Sequence, residues 1–138
     1  MRCSELTTVY GRQHVWQSDL QIKSLTVSEA RGNLTARFVV IAEIGEAMAA
    51  KVEIMLPPGV GIVEMGSGCT PGANPPGVTA LRARVLCTLG NLAPRTPKEL
   101  YVITTTPPAR GSTGFGVIAL SDTPDPKPGN NFAEKGMP

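Results

Sequence analysis

Three cysteines and one histidine are the side chains of this 138-residue chain best suited to covalent chemistry, and their placement decides how much of it is available. A Ser/His/Asp or Cys/His nucleophile needs a general base beside it, so any such system must use His14. Cys3 and Cys69 are the candidate thiols, yet nothing in the spacing sets His14 next to either. The expectation is a solvated histidine, no catalytic residue and no enzyme. Zinc needs a Cys-x-x-Cys pair or a second histidine, and the chain has neither.

Cys69 and Cys87 invite a different chemistry. Cys69 lies in a long Gly/Pro-rich stretch, Gly66 to Val78, and Cys87 ends an alternating run. A bridge would tie down that stretch and contribute about 3 kcal/mol by restricting the unfolded chain. The alternative is two free thiols, with Cys87 a small buried apolar residue. A bridge would imply an oxidising compartment and would leave Cys3 free or paired with another chain.

No resident cofactor is expected. Calcium is the ion to consider, because Asp122, Asp125, Asn130 and Asn131 offer hard oxygen ligands within a short span. The competing reading is that these residues cap turns through nearby backbone. Arg82 and Arg84 project from one strand face, with Arg95 and Lys98 a little further on, so they could meet an anionic partner or form an ordinary solvated face. Tyr10 and Trp16 could anchor an interface or stack on a sugar. If the chain docks on a partner, Tyr10, Trp16, Arg82 and Arg84 are the expected contacts. Asn33-Leu34-Thr35 fits a glycosylation acceptor, and Gly111 to Gly116 reads as a hairpin turn rather than a phosphate loop.

The elements that must position these residues are strands. Asp19 to Val27 places Leu20, Ile22, Leu25 and Val27 on one face only with a bulge near Ser24. From Leu34 to Glu43, Leu34, Ala36, Phe38 and Val40 alternate with Thr35, Arg37 and Val39. Ala47 to Ala50 reads as a short connection before a strand with Val52, Ile54 and Leu56 inward. Further strands are expected at Val60 to Met65, Thr79 to Thr88, Leu100 to Thr106 and Gly114 to Leu120. Pro57-Pro58-Gly59 and the Gly66 to Val78 stretch separate them, since proline cannot donate to a ladder. Residues 1–18 read as an arm, 19–133 as one sandwich domain and 134–138 as a tail.

Composition agrees. The chain holds 15 Gly and 13 Pro and only 4% aromatic residues, which favours short strands and turns over a helical bundle. A 41% hydrophobic content supports a packed core. A net charge of +2 is too mild to imply nucleic acid. No apolar run approaches the ~20 residues of a membrane helix, so no membrane insertion is expected. Met1-Arg2-Cys3-Ser4-Glu5 leads into no hydrophobic stretch, so no signal peptide is expected in this chain. The expected fold is all-β: an antiparallel two-sheet immunoglobulin-like sandwich of about seven strands, with a closed barrel as the alternative.

Three turn motifs then occur in order: Leu56-Pro57-Pro58-Gly59-Val60, Cys87-Thr88-Leu89-Gly90-Asn91-Leu92-Ala93-Pro94, and Ser121-Asp122-Thr123-Pro124-Asp125-Pro126-Lys127-Pro128-Gly129-Asn130-Asn131. Together they resemble the bacterial and archaeal conserved-repeat β-sandwich family catalogued as domain of unknown function eleven, over roughly Ser18 to Ala133. The chain departs from that pattern at Glu43-Ile44-Gly45-Glu46-Ala47, where the family carries an Asn-rich segment, and at Arg95, where it carries glycine. The resemblance implies an immunoglobulin-like sandwich of long surface proteins, used as a spacer or in adhesion, without catalysis. It also implies cysteines at the positions of Cys69 and Cys87, which favours the disulfide.

The functional expectation is a structural module that decorates or bridges an exterior surface assembly. A virion capsid or tail decoration protein and a cell-surface protein of the cell envelope both fit. Its partners would be other chains of that assembly, further copies of itself included. The alternative is a carbohydrate- or ligand-binding adhesion module of a larger surface protein.

Overall fold

In the computed structural model, residues 8–9, 12–13, 18–72, 83–107, 114–125 and 131–136 are described. They form β1 (Thr8–Val9), β2 (Arg12–Gln13), β3 (Leu20–Ala30), β4 (Asn33–Ala42), β5 (Ala47–Met55), β6 (Ile62–Met65), β7 (Cys69–Pro71), β8 (Arg84–Leu92), β9 (Lys98–Thr105), β10 (Phe115–Leu120) and β11 (Phe132–Lys135). No helix occurs among the described residues. β1 and β2 pair as a two-stranded ribbon, within the stretch read as an arm.

Two antiparallel sheets make the sandwich. One has the order β3-β4-β9-β6 and the other β11-β10-β5-β8-β7. The runs β3-β4-β9-β6 and β11-β10-β5 repeat the A-B-E-D and G-F-C orders of an immunoglobulin sandwich. β8 and β7 widen the second sheet beyond β5. The expected sandwich is therefore present, with nine strands in its two sheets among the described residues.

The core follows from period-2 alternation. Leu34, Ala36, Phe38 and Val40 of β4 face Val52 and Ile54 of β5, Val85 of β8 and Val117 of β10, all buried. Each large apolar side chain so buried contributes about 1.5–3 kcal/mol. The bulge expected near Ser24 is present: the β3–β4 register shifts between Lys23 and Thr26, and Ser24 has φ +58°. It lets Leu25 and Val27 pack on the same core as Leu20 and Ile22.

Three expectations need correction. Ala47 to Ala50 is not a connection but the bulged start of β5, with Ala49 at φ +52° and Ala47 and Ala50 fully buried. Cys69 is not in a loop. It opens β7, an edge strand too short to leave an alternating signal. β11 crosses the boundary expected at Ala133 and runs two residues into the stretch read as a tail.

The motif Ser121 to Asp125 works as a strap between strands. Thr123 Oγ1 accepts from the Met48 amide (2.9 Å) and donates to the Glu46 carbonyl (3.2 Å), while the Asp122 amide donates to the Met48 carbonyl (2.9 Å). Asp125 Oδ2 accepts from the Leu20 amide (3.0 Å), and the Pro124 carbonyl from the Ser18 amide (2.9 Å). These bonds satisfy polar backbone at the starts of β3 and β5, which burial would otherwise penalise.

Candidate interaction face

Alternation that sends one set of side chains into the core sends the other set outward. On the five-stranded sheet that outward set includes five large apolar side chains, Met55, Leu86, Ile118, Leu120 and Phe132, among polar and charged ones. Register places Phe132 beside Ile118, Ile118 beside Glu53, Glu53 beside Leu86, and Leu86 beside Thr70, a single row across all five strands. The row to one side carries Glu134, Gly116, Met55 and Arg84, and the row to the other Leu120, Lys51 and Thr88. Phe132 (43% exposed), Leu120 (48%) and Leu86 (39%) are three of the five exposed large apolar side chains among the described residues. Over Gly116, a Cβ would meet Met55 Cε at 3.8 Å and Phe132 Cε1 at 4.0 Å, so these two side chains converge above the glycine.

One ion pair interrupts the patch. Arg84 Nη1 donates to Glu53 Oε2 at 2.6 Å, with both side chains about a quarter exposed (29% and 25%). Arg84 thus lies on this face, whereas Lys98 belongs to β9 of the other sheet. Arg95 sits in the exposed turn between β8 and β9, its amide donating to the Ala42 carbonyl (2.6 Å). Arg84, Arg95 and Lys98 therefore do not build one basic surface. Arg82, Tyr10 and Trp16 lie outside the described residues.

The outer face of the four-stranded sheet is different. Its apolar side chains are bracketed by polar ones: Val39 stands between Lys23 and Glu99, and Ile103 between Thr35 and Glu64. The Tyr101 hydroxyl donates to Glu64 Oε2 (2.5 Å), and Arg37 lies over its ring, 5.9 Å from the centroid. The hydrogen bond to Glu64 raises the Tyr101 pKa above the ordinary tyrosine value. Desolvation and the Glu64 charge add to it, and Arg37 opposes them.

Cys69 and Cys87 form a disulfide and stand opposite each other on β7 and β8, so the free-thiol alternative falls away. A turn sets this up: the Cys69 amide donates to the Gly66 carbonyl (3.2 Å) and Gly68 takes φ +80°. A Cβ on Gly68 would come within 3.0 Å of the Thr88 carbonyl oxygen, so both conformation and contact select glycine. The bridge lies within one sheet, unlike the inter-sheet disulfide of antibody domains. Beside it, a cleft of about 460 Å³ opens between Gly66–Gly68, Thr88, Leu89 and Lys98–Tyr101.

Of the residues expected to favour calcium, Asp125 is engaged by the Leu20 amide, Asp122 is exposed, and Asn130 lies outside the described residues. Among the described residues, no group of three or more His, Cys, Asp or Glu converges as a metal site. His14 and Cys3 also lie outside them.

Sequence reasoning missed Met55, Leu86, Ile118, Leu120 and Phe132. A signal was present: Val117-Ile118-Ala119-Leu120 is apolar at every position, the pattern of a strand covered on both faces. No family model matches the chain, and no curated protein matches it.

Proposed function

We propose that the chain is a non-enzymatic structural module that decorates or bridges an exterior surface assembly, of a virion or a cell envelope, through protein–protein contacts. The observation that carries this reading is the set of apolar side chains on the outer face of the five-stranded sheet. A cluster of exposed large apolar side chains on one sheet face marks a protein contact surface. The Cys69–Cys87 disulfide supports an oxidising, exterior location. The resemblance to the conserved-repeat surface family supports the same role.

Photo-crosslinking tests it. A photoreactive side chain at Leu86 or Leu120 should yield protein adducts when the chain is in its native assembly, and one at Thr35, on the opposite outer face, should not. Equal adducts from both faces, or none from Leu86 and Leu120, would overturn the reading.

A further inference from the structure

The charges on the apolar face belong to both signs. Lys51 and Arg84 balance Glu53 and Glu134, so the described face is neutral overall. A strongly acidic or basic partner would gain no attraction from such a surface. A second surface of the same pattern would suffer no net repulsion and would match its apolar rows.

Size gives a second constraint. The three rows hold five, four and three positions, each covering about 4.8 Å by about 7 Å. The face therefore covers roughly 400 Å² per copy, and two such faces about 800 Å², below the ~1,000 Å² of a stable specific interface. That area suits a weak, reversible contact rather than an obligate dimer.

Resting on the functional reading above, we propose that the partner of this face is the same face of a second copy of this chain, packed sheet on sheet about a two-fold axis. Such pairing is isologous: each residue of one copy finds its counterpart's neighbours in the other. Stacked sheets would sit about 10 Å apart, with Phe132, Leu120, Ile118 and Leu86 filling the gap. The Glu53–Arg84 pairs would then be desolvated, and each guanidinium gains a second carboxylate within reach.

Sedimentation equilibrium of the intact, oxidised chain decides this. The mass should rise from 14.5 kDa towards twice that value as concentration increases. The dissociation constant should lie between about 1 µM and about 1 mM, the weak range such an area supports. Leu86→Lys and Phe132→Lys should each weaken association more than about tenfold, while Thr35→Lys leaves it unchanged. Glu53→Arg and Arg84→Glu, each monomeric alone, should associate when mixed. A mere folding defect could not produce that recovery.

A wild-type chain that stays at 14.5 kDa, a dimer indifferent to Leu86→Lys and Phe132→Lys, or a mixture that fails to associate each overturns the self-pairing. If Leu86 crosslinks instead to a different protein while the chain is monomeric, the second copy is excluded and the structural role stands.

Discussion

Arg84 reaches from β8 to the Glu53 carboxylate on β5, 2.6 Å away, in the middle of an outer sheet face that also carries Phe132, Ile118, Leu120, Leu86 and Met55. With Lys51 and Glu134 on the same face, these opposite charges leave it without a net charge. In the free chain the pair is partly exposed, so its worth is small. A double-mutant cycle with Glu53→Gln and Arg84→Met in dilute solution should give a coupling of about 0.5 kcal/mol that shrinks as salt is added. A salt-independent coupling of several kcal/mol would mean that the pair is already desolvated in the single chain.

The Cys69–Cys87 bridge clamps edge strand β7 onto β8, closing a separation of 18 residues. The double variant Cys69→Ala/Cys87→Ala should unfold with about 3 kcal/mol less stability in urea. Amide exchange at Thr70 should accelerate far more than at Phe38, because only β7 loses its tether. Unchanged unfolding would show that β7 needs no covalent support.

Arg95 occupies the left-handed region at φ +60°. A side chain with a Cβ costs about 1–2 kcal/mol there, partly offset by the greater flexibility of an unfolded glycine. Arg95→Gly should therefore raise stability by about 0.5–1 kcal/mol, and Arg95→Val should lower it. Urea midpoints of the three chains settle the order.

Tyr101 donates its hydroxyl proton to Glu64, and that bond exists only while the phenol is protonated. Its pKa is raised from 10.0, so the protonated folded form is favoured up to that pH, and its stabilisation is lost as pH rises through the higher folded value. Ultraviolet titration should show Tyr101 ionising above the ordinary tyrosine range. Glu64→Gln should bring it back towards that range. An unaltered curve would contradict the hydrogen bond.

Much of this fold was legible because alternation is a direct record of burial. Phe38 and Val40, Val52 and Ile54, and Phe115 and Val117 all sit where period 2 places them. Even the Ser24 bulge could be inferred, since without it Leu20 and Leu25 face opposite ways. What escaped had a weak or mixed signal. The small Ala47 and Ala50 are buried in the core, and alanine does not announce a strand. β7 has three residues and ends in Pro71, and β11 hides behind a Pro-rich run. The outer face is harder to read, because Val117 and Ala119 already satisfy the core alternation without Ile118 and Leu120. The disulfide partners were identifiable, but their opposition on neighbouring strands depends on the Gly66–Cys69 turn.

The central claim is that the outer face of the five-stranded sheet is covered when the protein is at work. Carbene footprinting of the chain in its native assembly, against the chain alone at high dilution, measures this directly. Leu86, Leu120 and Phe132 should be labelled in the isolated chain and protected in the assembly, with Arg37 and Tyr101 on the other outer face labelled alike in both. Protection confined to the Arg37–Tyr101 face, or none on either face, would contradict it.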